Sequence, residues 1–82
     1  MANIAILDDN DIVIDIVVVS NRDIKDESGV EQEELAIAFC EENIGPGNYA
    51  MTSYNGNIRG VYPHLGMKLF RDRDVYDWPE EA

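Results

Sequence analysis

"IVIDIVVVS", residues Ile12 to Ser20, is the stretch from which the rest of the chain can be read. Its β-branched side chains suit a pleated surface better than a helix, where they lose rotamer freedom. Alternation puts Ile12, Ile14, Ile16 and Val18 on one face and Val13, Asp15, Val17 and Val19 on the other. A strand apolar on both faces is expected to be central or covered on both sides. Upstream, "IAIL" (Ile4 to Leu7) is a second short strand, and the intervening "DDND" supplies turn residues. Together they predict a hairpin over residues 3–20, with Leu7 opposite Ile12 and Ala5 opposite Ile14.

The polar segment "NRDIKDESG" leads into "VEQEELAIAFCEEN". Ser28 and Glu31 have the spacing of a capping box, and Glu33 and Glu34 suit the positive end of a helix. Leu35, Ala36, Phe39 and Cys40 recur at helical spacing, and Gly45 followed by Pro46 is a strong stop. A helix over residues 30–44 is therefore expected, packed on one face of the sheet.

Two more hairpins follow from the same alternation. In "YNGNI" (Tyr54 to Ile58), Asn55-Gly56 readily supplies the positive backbone angles of a type I′ turn. That bend would make a hairpin of residues 49–62, with Tyr49 facing Tyr62, Met51 facing Gly60 and Ser53 facing Ile58. In "MKLFRDRDVYDW", a bend at Asp72-Arg73 puts Phe70 opposite Val75, Leu69 opposite Tyr76 and Met67 opposite Trp78. It also sets Arg71 against Asp74 and Lys68 against Asp77, so a hairpin over residues 67–78 gains two opposite-charge pairs. Residues 79–82 read as a polar tail. The expected fold is α+β, one small domain of residues 1–82: an antiparallel sheet built from hairpins with one α-helix on one face. The face of Val13, Val17 and Val19 would then need cover from a second copy, as a homodimer, or from a docking partner.

Composition narrows the function classes. The chain has 82 residues, 45% apolar, with a formal charge of -11, so it is apolar enough to fold and strongly acidic. Residues 1–51 hold twelve acidic and two basic side chains, and residues 52–82 hold five and four. The acidic part repels nucleic acid and anionic membranes, so neither is an expected partner. The longest apolar runs are too short to span a bilayer, and the start of the chain lacks the pattern of a secretion signal. Synthesis in a cytoplasm is expected.

Chemistry-bearing patterns are sparse. Asp8, Asp9 and Asp11 offer oxygen ligands to a hard cation, but the spacing lacks the Gly and downstream Glu of an EF-hand, and an ordinary turn is the better reading. His64 has no positioned nucleophile or carboxylate near it in sequence. Cys40, flanked by Glu41 and Glu42, has no cation to stabilise a thiolate and reads as a buried thiol. No catalytic residue, metal ligand or cofactor is expected. The aromatic and basic set Tyr49, Tyr54, Arg59, Tyr62, Tyr76 and Trp78, in the less acidic part, could anchor a protein interface, as could Val13, Val17 and Val19.

The wording of "MANIAILDDNDIVIDIVVVSNRDIKDESGVEQEELAIAFCEEN" together with "TSYNGNIR" resembles a group of small uncharacterised proteins of marine tailed phages, those of cyanobacteria and related bacteria. The resemblance runs from Met1 to Arg59; beyond it, Tyr62, Gly66 and "RDRDVY" (Arg71 to Tyr76) would correspond to an aromatic segment of the group. It implies an association with virion or tail genes, assigns no catalytic residue, and would place the chain in the host cytoplasm when made and in the virion afterwards. The expectation is a non-enzymatic structural or assembly module acting by protein contact. The alternative is an acidic, host-directed binding protein that mimics nucleic acid, with Glu31, Glu34, Glu41 and Glu42 on one exposed surface.

Overall fold

Ala2–Leu7 forms β1 and is the middle strand of the sheet; Val13–Val19, β2, lies at an edge. The computed structural model describes residues 2–56 and 58–79, so Asn57 and residues 80–82 of the expected tail lie outside the described residues. A 3-10 turn at Asn21–Asp23 precedes the helix α1 (Glu33–Asn43), which is followed by β3 (Asn48–Thr52), β4 (Lys68–Phe70) and β5 (Val75–Asp77). The order β2-β1-β3 is antiparallel throughout, and β4 and β5 form a separate two-stranded antiparallel sheet. β1 carries no charge and buries Ala2, Ile4, Ala5 and Leu7, whereas β2 leaves Ile14, Asp15 and Val18 exposed. That difference is what assigns the centre and the edge.

The first hairpin keeps its place but changes register. Asp8 accepts the amides of Asn10 and Ile12 on one carboxylate oxygen, at 2.8 and 3.0 Å, and its own amide reaches the Ile12 carbonyl at 2.9 Å. Asp11 adopts a positive φ of 63° within this turn. Ile12 therefore belongs to the turn, Leu7 pairs with Val13 rather than Ile12, and a bulge follows, after which Ala5 pairs with Ile16 rather than Ile14. The bulge inserts a residue and so separates Val13 from Val17 and Val19. Val13 packs with Ala5, Leu7, Ala50, Met67, Leu69 and Tyr76, while Val19 and Val17 pack with the helix cluster. The expected uncovered valine face does not exist: the helix covers one side of the sheet and the β4–β5 hairpin covers the other.

The helix starts at Glu33, three residues later than the sequence predicts. Asp26 is responsible, not Ser28. One of its carboxylate oxygens accepts the amides of Ser28 and Val30, at 2.9 and 3.0 Å, and the other accepts the Gln32 side-chain amide at 2.9 Å. This Asp-centred turn is an alternative to helix for the backbone it engages. Gly45, at a φ of 135°, sends its amide back to the Cys40 carbonyl at 3.2 Å and ends the helix where expected. Ala36 and Cys40 are buried against Ile4, Ile24, Tyr49 and Met51.

β3 pairs with β1, and no strand returns from residues 58–62 to meet it. Asn55-Gly56 does bend the chain, with the Gly56 amide on the Ser53 carbonyl at 2.9 Å. Arg59 and Gly60 then take successive positive φ values of 56° and 85°, which extended backbone cannot accommodate, and the chain turns away. The last hairpin has the read register, Lys68 with Asp77, Leu69 with Tyr76 and Phe70 with Val75. Its turn is longer, residues 71–74, so Arg71 and Asp74 do not pair with each other and each reaches across to another layer. Three-residue strands are marginal alone, and packing of Leu69 and Tyr76 on the sheet supplies what they lack.

Candidate interaction surface

Five of the nine residues singled out as interface candidates pack inside the chain. Tyr49, Tyr76, Val13 and Val19 are buried. The Tyr49 hydroxyl donates to the Gly45 carbonyl at 2.7 Å, and that of Tyr76 donates to the Met51 carbonyl at 3.0 Å. Burial, against the opposing charge of Arg59, is the main cause that pushes the Tyr76 phenol up to about 12. Val17 is partly buried in the helix cluster. These five therefore pack inside the fold rather than forming a surface: Val17, Val19 and Tyr49 on the helix side of the sheet, Val13 and Tyr76 on the hairpin side.

Arg59 is the most heavily engaged side chain. Its guanidinium grips Glu33 with two nitrogens, NH1 on Oε2 and NH2 on Oε1, the latter at 2.9 Å. It also donates to Asp74 at 2.7 Å and to the Met51 carbonyl at 2.9 Å. Glu33 accepts the Met51 amide at 2.8 Å in turn. The Arg59 hydrogen bond holds the Glu33 carboxyl below its ordinary range and, with Asp74, raises the guanidinium further. Helix start, β3 edge and hairpin turn are joined at this one point.

Arg71 makes the second tie. Its guanidinium donates to both oxygens of Asp11, at 3.0 and 3.2 Å, and to the Asn48 side chain at 3.1 Å, and Asn48 donates to Asp11 at 2.8 Å. The Asp11 carboxyl is held low chiefly by Arg71. Asp8 and Asp11, candidates for a cation, are thus occupied with amides and a guanidinium. Among the described residues no three His, Cys, Asp or Glu side chains are placed to share a metal ion. Cys40 is fully buried and its thiol pushed up by that burial. No helix among the described residues is long and apolar enough to cross a membrane.

Two aromatic side chains stay outside, beside exposed aliphatic ones such as Ile14, Val18, Val30 and Ile44. Tyr54 is 77% exposed and Trp78 55% exposed. Tyr54 meets Tyr62 edge-on with ring centres 5.4 Å apart, and Trp78 lies parallel to His64 at 6.2 Å. Pro63 between them is buried and pins the loop, so its neighbours Val61 and Leu65 are held outward and exposed. Val61 is hidden by the expected strand over residues 58–62, and Leu65 falls between the two expected hairpins, where alternation assigns it no face. A Cβ on Gly66 would stand 3.5 Å from the Trp78 ring, so the indole rests close over that backbone.

These features define a small α+β domain in which a helix and a hairpin take opposite sides of a three-stranded antiparallel sheet. No protein-family model matches the chain, and no curated protein or solved structure is similar to it at a significant level.

Proposed function

We propose that the chain is a non-enzymatic module that works by protein contact, as a structural or assembly component encoded by a tailed phage. The exposed aromatic surface carries this reading: Tyr54 and Trp78, with Val61 and Leu65, stand in water around residues 54–65 and at the end of β5. Tyrosine and tryptophan are the commonest anchors of protein interfaces, since they bury large area at small entropic cost. The strongest ionic contacts, at Arg59 and Arg71, tie layers of the fold together. Mass spectrometry of density-purified particles from a phage encoding this chain tests the reading. Stoichiometric presence, reduced in Tyr54→Ser and Trp78→Ser variants of unchanged thermal stability, is the expected result. Clear absence from particles, with the protein abundant in infected cells, would overturn the virion role.

The second reading is the acidic, host-directed binding protein. Glu31, Glu34, Glu41 and Glu42 are all exposed, three of them on α1. Charge reversal at Glu34, Glu41 and Glu42 would then abolish capture of a basic host protein, while a contact module built on the aromatics would be indifferent to it.

A further inference from the structure

Among the described residues, two polar side-chain atoms are buried without a hydrogen-bond partner, Oγ1 of Thr52 and Oδ1 of Asn21. Both residues line one recess of about 200 Å³ between the end of β3, the start of β1 and the 3-10 turn. Native structures leave few such groups unpaired, because a buried polar atom without a partner has lost its water for nothing. Asn21 cannot be relieved by exchanging the ends of its amide, because its nitrogen already donates to Glu31 at 3.0 Å. Thr52 is 1% exposed and cannot turn to water.

The remaining lining sets the ligand's chemistry. Glu31 brings a carboxylate, Ser53 and Asn55 bring further acceptors, Tyr54 brings an aromatic face, and no lysine or arginine takes part. An acceptor-rich, anionic recess beside a ring suits a group that has only donors, carries positive charge and is flat. We propose that it takes the guanidinium of an arginine side chain offered by a partner protein. That group has five N–H donors in a planar fork and stacks on aromatic faces, whereas an ammonium offers neither. The volume equals that of about seven waters in the liquid, enough for one such side chain. Both orphaned atoms lie beneath the solvent-reached surface, so reaching them takes a local opening of the recess, which would show as shifts at Asn21 and Thr52. The proposal rests on the contact reading, since it names the chemistry of the partner.

The test is NMR titration of the intact chain with N-acetyl-arginine methylamide, beside the lysine and citrulline analogues. Saturable shifts confined to Asn21, Glu31, Thr52 and Tyr54 are expected, strongest for arginine. Glu31→Gln should weaken them about tenfold, a loss of about 1.4 kcal/mol, and Thr52→Val severalfold, while Glu34→Gln leaves them unchanged. No saturable shift, equal response to all three analogues, or an equal effect of Glu34→Gln would overturn the proposal. A chain found in particles that ignores arginine loses this inference alone; one that binds arginine but is absent from particles loses the virion role alone.

Discussion

Glu33 and Arg59 close the outer edge of β3 between them: the carboxylate takes the Met51 amide at 2.8 Å and the guanidinium gives to the Met51 carbonyl at 2.9 Å. The pair stands where another strand would add, from residues 26 positions apart. An edge filled by side chains offers no template for pairing.

Arg59→Met should cost about 2–3 kcal/mol in urea unfolding, less than the loss for a fully buried pair because Glu33 is partly exposed. The Glu33→Gln, Arg59→Met double variant should cost less than the two single losses summed, with a coupling of about 1–2 kcal/mol. Strict additivity would show that the two side chains act separately.

The acid limb of stability follows from the same group. Glu33 and Asp11 are both held below their ordinary values in the folded chain. In acid the unfolded chain therefore binds more protons at these sites. Their stabilisation is complete above the unfolded values of about 4.3 and 3.9 and is lost as pH falls through the lower folded values. Unfolding free energy measured from pH 6 downwards should fall less steeply in Glu33→Gln than in the native chain.

Tyr76 should ionise late, its phenol being pushed up to about 12 chiefly by burial. Ultraviolet titration below the alkaline unfolding point should show one fewer late phenolate in Tyr76→Phe. The same variant leaves the Met51 carbonyl one donor short and should cost about 1 kcal/mol.

Asp15 is the one charge in β2, and its carboxylate accepts the adjacent Ile16 amide at 2.8 Å. Asp15→Val would convert an exposed edge into an unbroken apolar strand. Sedimentation should then detect stronger concentration-dependent association than in the native chain at equal salt.

The sequence made the helix, the strands of the first and last hairpins and the α+β class legible, because each is carried by local periodicity. Leu69 opposite Tyr76 needed only alternation and charge matching. What escaped was set by side chains gripping distant backbone. Asp26 delays the helix, Asp8 shifts the hairpin register, and Arg59 takes a positive φ that no propensity assigns to arginine. The partnering of β3 with β1 escaped for another reason: Asn55-Gly56 is equally good chemistry for a hairpin and for a bend that leads elsewhere. Of the surface, Tyr54 and Trp78 could be named in advance, whereas the recess of Asn21 and Thr52 joins segments that no spacing relates.

The placement of β1 at the centre also orders events on the ribosome. β1 can pair with β2 almost at once, but both faces of that hairpin stay bare until later chain arrives. The helix shields one side when Glu33–Asn43 has emerged, and the other waits for Met67, Leu69 and Tyr76, which follow it. A nascent chain stalled between those two points is half a sandwich with Ala5, Leu7, Val13 and Ala50 uncovered. That interval, rather than any stage of the finished molecule, is when this protein is most in need of a chaperone.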